Sequence, residues 1–220
     1  MTDSYDYQWV GAPRQPDTSD PEIDLVRQEI YRLDQSGDRF AGVIRDTLDQ
    51  LYDGQRTGRW NFDQLYKTEK THMGTLVEIN LQRCFEFADG DATDYRIAGV
   101  EVDCKYSMKF GEWTLPPEVV NRIALVVTAN DLQSVWSAGL VRVRRDYLRV
   151  GRNRDQKSTL TAAARSNISW LWGNANILAP NLFLHIDAVV RDRIFSARAE
   201  RGSKHGEAGV REFLRDVVGI

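Results

Sequence analysis

The N-terminal part of the chain carries three apolar stripes at the spacing of α-helices. The first follows Asp20 and Pro21, which suit a helix N-cap and first turn, and it ends at Gly37. The second ends at Gly54, and the third predicts a helix over residues 71–87. The stripes comprise Ile23, Val26, Ile30 and Leu33, then Phe40, Ile44, Leu48 and Leu51, then Met73, Leu76, Val77, Leu81 and Phe85. These helices need a common core to cover their apolar faces.

Alternation replaces the helical period after a turn cluster at residues 89–91. Residues 95–106 predict two short strands or a hairpin, with Val100, Val102 and Cys104 on one face. Further strands are predicted at residues 123–128, 139–143 and 147–150, and further helices at residues 160–172, 185–197 and 207–218. The chain is therefore predicted to be an α/β protein with a mixed central sheet flanked by helices.

The size and composition of the chain are those of a protein that folds without covalent cross-links. Its 220 residues are 42% hydrophobic, and its two cysteines, Cys84 and Cys104, both lie in predicted regular structure. Reduced thiols, the lack of a signal pattern and the lack of an apolar stretch of about 20 residues predict a cytoplasmic protein without a membrane segment. We expect a flexible segment at residues 1–20, a main domain at 21–165 and a small helical segment at 166–220.

Charge is segregated along the chain, although the net charge of −3 argues weakly against a nucleic-acid partner. Residues 1–59 have a net charge of −5, whereas residues 140–165 have a net charge of +6. The basic segment predicts contacts to DNA phosphates and base edges, and its candidate residues are Arg142, Arg144, Arg152, Arg154 and Lys157. In the alternative interpretation, several of these arginines solvate a strand and pair with the acidic helices.

Several kinds of active site are excluded by the sequence. The three histidines are scattered without metal-ligand spacing, and no phosphate-binding loop or nucleophile elbow is present. Residues 51–54 resemble the Lys-x-Asp-Gly motif of DNA ligases, but Leu51 stands where the nucleophilic lysine would be. Nucleotidyl transfer by that route is therefore excluded, because leucine cannot form the adenylate.

The strongest group of candidate catalytic residues is Asp94 with the later Asp103-Cys104-Lys105. Asp103 and Lys105 differ by two positions, so a strand places them on one face. Two carboxylates beside an ammonium suit a nuclease, because Mg²⁺ prefers hard oxygen ligands and polarises a phosphate. The main-chain carbonyl of Cys104 is a further metal ligand, and Glu78 supplies another acid. The alternative is a solvated strand face with cross-strand ion pairs, which includes Glu101.

Longer stretches of the sequence resemble the endonuclease domain of the NaeI restriction endonuclease family. The matching stretches are residues 47–59, 67–78, 94–105 (DYRIAGVEVDCK), 113–118 and 153–157. The resemblance implies that Glu78, Asp94, Asp103 and Lys105 are the catalytic residues. It also implies a restriction-endonuclease-like, PD-(D/E)xK core. The implied reaction is Mg²⁺-dependent double-strand cleavage of DNA at a GC-rich palindrome, which leaves 5′-phosphate ends.

The resembled family also carries a second, helix-turn-helix-type domain that binds another copy of DNA. The 50 residues that follow Trp170 suffice for two or three helices, so this domain is expected to be truncated or reduced here. We expect a homodimer that cuts both strands of a palindrome, paired in the cell with a DNA methyltransferase. The rival predictions are a monomeric mismatch-repair-type nicking endonuclease and a truncated protein that binds DNA without cutting it.

Overall fold

A computed structural model describes residues 20–149, 157–197 and 205–218. Helices and a single mixed sheet make up most of these residues. The α-helices are α1 (Pro21–Leu33), α2 (Asp38–Tyr52), α3 (Gly54–Thr57), α4 (Lys67–Phe85), α5 (Leu182–His185), α6 (Ala188–Ser196) and α7 (His205–Phe213). The strands are β1 (Ala88–Asp89), β2 (Tyr95–Ile97), β3 (Val100–Ser107), β4 (Ile123–Asn130), β5 (Val135–Arg142) and β6 (Ser169–Ile177). The predicted α/β class, with a mixed sheet flanked by helices, is confirmed.

At the starts of α1 and α4, a carboxylate accepts main-chain N–H groups. Asp20 caps α1, because its carboxylate accepts the N–H groups of Glu22 (3.1 Å) and Ile23 (3.3 Å). Helix α4 begins at Lys67, one turn before the predicted start, and the Glu69 carboxylate accepts the Tyr66 N–H at 2.8 Å. This hydrogen bond satisfies a main-chain N–H at the helix start and stabilises the extra turn.

The six strands lie in the sheet in the same order as in the sequence. Within the described residues β3 and β4 form the parallel pair, and the other neighbours are antiparallel. The predicted hairpin joins β2 to β3 through Ala98 and Gly99, whose φ angles are +50° and +81°. Two positive φ angles favour a two-residue turn that matches the twist of the strands.

The two faces of the sheet are covered differently. Helices α1, α2 and α4 bury the larger core on one face, to which Val102 and Cys104 of β3 contribute. Trp113, Leu115 and the loops around residues 160–168 form a second core on the opposite face. Because side chains alternate along a strand, Asp103 and Lys105 point away from the helical face.

The predicted helix at residues 160–172 is wrong, because most of its C-terminal half belongs to strand β6. Residues 168–172 contact both cores, and a continuous apolar run does not distinguish a buried helix from a buried strand. Pairing with β5 decides the outcome. The Tyr31 hydroxyl of α1 donates to the Leu171 carbonyl at 2.6 Å, so α1 covers part of this edge strand.

The expected strand at residues 147–150 is also wrong over its described part. Residues Arg145–Tyr147 form a 3₁₀ turn, and Leu148 forms an isolated bridge with Leu160. The predicted C-terminal helices do form, as α6 and as α7 with a π-helical turn at Leu214–Val218. The described C-terminal part is thus helical from α5 onward, whereas a helical segment from residue 166 was predicted. No helix among the described residues is long and apolar enough to cross a bilayer.

Candidate active site

The site lies where the short strand β2 leaves the edge of β3. Strand β2 pairs with β3 only as far as Val102, and Asp94 directly precedes β2. The Asp94 carboxylate therefore reaches the next part of the β3 edge, where its Oδ2 accepts the Cys104 N–H at 2.7 Å. This bond fixes Asp94 beside the Asp103-Cys104-Lys105 segment, as the sequence predicted.

The Lys105 ammonium lies among the oxygen atoms of this segment. Its Nζ is 2.6 Å from Asp103 Oδ2 and 3.6 Å from Asp94 Oδ2, and it donates to the Cys104 carbonyl at 3.0 Å. The two carboxylates and the carbonyl therefore surround one cationic group. The Cys104 thiol is buried in the helical core, which raises its pKa to about 12, so this residue contacts the site through its main-chain N–H and carbonyl groups.

Burial and neighbouring charge set the protonation of the acid and the lysine. Burial raises the pKa of Asp103 to about 6, although the hydrogen bond from Lys105 opposes this rise. Burial alone would lower the pKa of Lys105, but the hydrogen bond and charge of Asp103 outweigh it and raise that pKa. Lys105 is therefore an ammonium at neutral pH, and it offsets the cost of the buried carboxylate.

Glu78 approaches the same group from helix α4. The Tyr95 hydroxyl of β2 donates to the Glu78 carbonyl at 2.7 Å, which ties the helix to the start of the strand. Burial and then the charge of Asp94 raise the pKa of the Glu78 carboxyl. Within the described ranges, however, no three His, Cys, Asp or Glu side chains converge closely enough to bind a metal ion together.

The residues of the site fit a magnesium ion. Asp94 Oδ2, Asp103 Oδ2 and the Cys104 carbonyl are hard oxygen donors gathered around one ammonium. Mg²⁺ typically binds one or two carboxylates and completes its shell with water and substrate phosphate. The two carboxylates and one carbonyl present here therefore suit this ion, which does not require a full set of protein side chains.

Two acids near the site were not assigned a catalytic role from the sequence. Glu118 is exposed on the 3₁₀ turn Pro117–Val119, and its charge contributes to the raised pKa of Asp103. Glu101 of β3 binds the loop before Asp94. The hydrogen bonds that it accepts there, of which the bond from the Asp91 N–H has the largest effect, lower the pKa of Glu101 to about 2. Strand alternation places Glu101 on the Asp103 face, but its loop partners cannot be read from spacing.

The predicted DNA-binding residues differ in their surroundings. Arg142 forms ion pairs with Asp20 (2.7 Å) and Glu22 (2.6 Å) at the start of α1. For this residue, the alternative interpretation, in which arginines pair with the acidic helices, is therefore correct. Arg144 pairs with Asp146 at 3.1 Å, and both remain largely exposed. Lys157 is exposed beside the bridge between Leu115 and Ser158, whereas Arg152 and Arg154 lie outside the described residues.

The mixed sheet and the Asp and Asp-x-Lys residues at a strand edge define a restriction-endonuclease-like protein. The sequence model of the family described as "Restriction endonuclease NaeI" matches residues 24–220. The chain belongs to this family, and the resemblance found in the sequence is confirmed. It is 58% identical over 200 residues to the type II restriction enzyme NaeI of Lentzea aerocolonigenes. That alignment covers 91% of this chain and 63% of the relative, so the chain spans less than two thirds of the relative's length.

Proposed function

We propose that this chain is a type II site-specific deoxyribonuclease that makes Mg²⁺-dependent double-strand cuts. The observation that carries the proposal is the group of Asp94, Asp103 and the Cys104 carbonyl around the Lys105 ammonium. Membership of the NaeI family supports the same reaction. Asp94, Asp103 and the Cys104 carbonyl would hold Mg²⁺, which polarises the scissile phosphate when bound.

The side chains then have separate roles in hydrolysis. A water oxygen attacks phosphorus, the bond to the 3′ oxygen breaks, and the 3′ oxygen takes a proton from solvent, so that 5′-phosphate and 3′-hydroxyl ends result. The Lys105 ammonium donates to a non-bridging phosphate oxygen and stabilises the charge that develops there. Glu78 accepts a proton from the attacking water, a role that its raised pKa favours. It also supports the water network or a second metal ion.

The proposed substrate surface extends from the site to the basic segment. Arg144 and Lys157, together with Arg152 and Arg154, would contact DNA, whereas Arg142 is omitted because α1 already binds its guanidinium. We propose a homodimer in which each site cuts one strand of a short, GC-rich palindrome. A cytoplasmic enzyme of this kind requires a DNA methyltransferase that protects the host's own copies of the site.

Digestion of a supercoiled plasmid tests the proposal. The chain is expected to linearise the plasmid with Mg²⁺ and to leave it intact with EDTA. Lys105→Ala should lower the cleavage rate by about 100-fold or more, because it removes the charge that stabilises the transition state. Lys109→Ala is a matched control, since Lys109 is exposed four residues along the same segment. Thermal unfolding of both variants verifies that they are folded.

The products distinguish the rival functions. Nicked plasmid without linear product, made by a monomer in sedimentation experiments, would support a nicking endonuclease. Intact plasmid together with equal DNA binding by the wild type and Lys105→Ala would show a protein that binds DNA without cutting it. Linear product with 5′-phosphate ends, from a dimer, supports the restriction enzyme.

A further inference from the structure

One carboxylate holds the loop that leads into Asp94. Glu101 Oε1 accepts the Asp91 N–H at 3.0 Å, and Oε2 accepts the Ala92 N–H at 3.1 Å. The Thr93 hydroxyl also donates to Glu101 Oε2, at 2.9 Å. Three consecutive loop residues are thus bound to a side chain of β3 that lies two positions before Asp103.

The neighbouring strand fixes the Glu101 carboxylate in turn. Arg96 stands opposite Glu101 in the β2–β3 register, and its guanidinium donates to Glu101 Oε1 at 3.0 Å. The same guanidinium pairs with Asp91 in the loop. The cross-strand ion pair expected for a solvated strand face therefore exists, but it also binds the loop beside the candidate site.

The loop is compact where it approaches the site. A Cβ atom on Gly90 would lie 2.4 Å from the Thr93 carbonyl oxygen, which leaves no room for a side chain there. The Thr93 hydroxyl also lies 3.1 Å from the Tyr95 carbonyl oxygen, an alternative acceptor for the one proton that it donates to Glu101. The residues that precede Asp94 are therefore fixed, and the Asp94 carboxylate accepts the Cys104 N–H from this position.

We propose that Glu101 is a positioning residue for Asp94. It does not touch the reacting atoms, but it accepts the hydrogen bonds that fix residues 91–93 and so directs the Asp94 carboxylate to the edge of β3. Groups that orient a metal ligand typically change metal affinity or activity by about 10–100-fold when they are removed. The inference rests on the proposed function for its effect on cleavage, but its structural part can be tested alone.

Glu101→Gln tests the proposal, because an amide keeps the shape of the side chain but provides only one acceptor oxygen. Glu86→Gln is the matched control, since Glu86 is an exposed glutamate at the C-cap of α4. Amide hydrogen exchange is measured without metal, and single-turnover cleavage is measured over a range of Mg²⁺ concentrations. Thr93→Val, which removes only the hydroxyl, serves as a milder second variant.

The expected result is faster exchange at Asp91, Ala92 and, through Asp94, at the Cys104 amide. The Mg²⁺ concentration for half-maximal cleavage should rise about tenfold, whereas the rate at saturating Mg²⁺ recovers most of its wild-type value. A general loss of folded protein would instead lower the rate equally at every Mg²⁺ concentration. Thr93→Val should shift the same quantities in the same direction by less, and Glu86→Gln should shift neither.

Unchanged exchange at Cys104 and an unchanged Mg²⁺ dependence in Glu101→Gln would overturn the proposal. If Glu101→Gln does not fold, the same two measurements on Thr93→Val decide the question by the same criteria. A wild type that does not cleave DNA would contradict the proposed function but would leave the exchange result at Cys104 as a test of positioning. The two failures are therefore distinguishable.

Discussion

At the scale of single residues, the candidate site places three acids in the field of one ammonium. Burial and then the charge of Asp94 raise the pKa of the Glu78 carboxyl, Asp103 adds a smaller rise, and Lys105 only partly opposes them. Carboxylates that are buried close together disfavour the charged form of each other, so keeping them charged in the folded protein costs free energy. The site is therefore expected to lower stability in return for its chemistry.

Glu78→Gln tests this balance between stability and activity. The neutral amide should leave the melting temperature unchanged or raise it by up to about 2 °C, because it removes a carboxylate that burial and Asp94 destabilise. Cleavage should fall by about tenfold or more, since the proton acceptor is lost. Thermal unfolding and plasmid digestion measure the two effects. Glu112→Gln, at an exposed glutamate, is the control, and a clear fall in melting temperature for Glu78→Gln would contradict the expectation.

The sequence predicts some residues of the site better than others. Asp103 and Lys105 follow from strand alternation, and their Nζ–Oδ2 distance of 2.6 Å confirms that they share a face. Glu78 was named from the sequence only as a further acid, because a helix and a strand that pack together carry no common spacing, and the family resemblance added its catalytic role. The roles of Glu101 and Arg142 depend on partners that only the folded loop and the N-terminus of α1 provide.

At the scale of secondary structure, the residue that caps α1 also binds the helix to a strand. The Asp20 carboxylate accepts N–H groups of the first turn and also binds Arg142 at the end of β5. The hydrogen bond from Arg142, followed by those from the main chain, holds the pKa of Asp20 below its usual value of 3.8. One side chain therefore stabilises both the helix and its attachment to the sheet.

Asp20→Ala is expected to destabilise the protein in a pH-dependent way. At pH 7 it should cost about 1 kcal/mol, the typical contribution of an N-cap. A carboxyl whose pKa is lowered on folding stabilises the native state above its unfolded-state pKa and loses this effect as pH falls through its folded-state pKa. The difference from the wild type should therefore shrink below a pH of about 3.8.

Urea unfolding between pH 7 and pH 3 measures the effect of Asp20→Ala. Asp46→Ala is the control, because Asp46 is exposed within α2 and caps no helix. The control should show little change in stability at any pH. A constant difference between Asp20→Ala and the wild type down to pH 3 would show that the charge of Asp20 contributes nothing.

Elements whose pattern had one interpretation were predicted well, and the others depended on tertiary pairing. The fully buried strand β4 follows from its continuous apolar run, and the amphipathic helices α1 and α2 follow from their periodicity. The apolar residues at 168–172 allowed either a helix or a strand, and pairing with β5 selected the strand. Local pattern therefore predicts an element least well where a short apolar run suits both a helix and a strand.

At the scale of the whole molecule, the acidic and basic segments of the sequence form some of their ion pairs with each other. Arg142 of the basic segment binds Asp20 and Glu22 of the acidic segment, so the two segments partly neutralise each other. The low net charge is therefore compatible with a basic surface formed by the remaining cations. The net charge of −3 therefore does not describe how charge is distributed over the fold.

A buried polar network joins the sheet to the helical C-terminal part. Asp131, which follows β4 and is 3% exposed, pairs with Arg45 of α2. Its Oδ2 also accepts the Tyr52 hydroxyl at 2.6 Å and the Asn181 amide at 2.9 Å. Asn181 caps α5 and donates to the Trp60 carbonyl at 2.8 Å. One carboxylate thus connects α2, the end of β4 and the segment that enters the C-terminal helices.

Asp131→Ala is expected to be among the most destabilising single changes in the chain. It leaves the buried Arg45 guanidinium without its buried partner, a situation that typically costs about 3–5 kcal/mol. The melting temperature should fall by roughly 10 °C or more. Asp49→Ala is the matched control, because Asp49 pairs with the same guanidinium at 2.8 Å but is 60% exposed. Its loss should cost under about 1 kcal/mol. Equal costs for the two variants, measured by thermal and urea unfolding, would contradict this expectation, since burial of the ion pair would then make no difference.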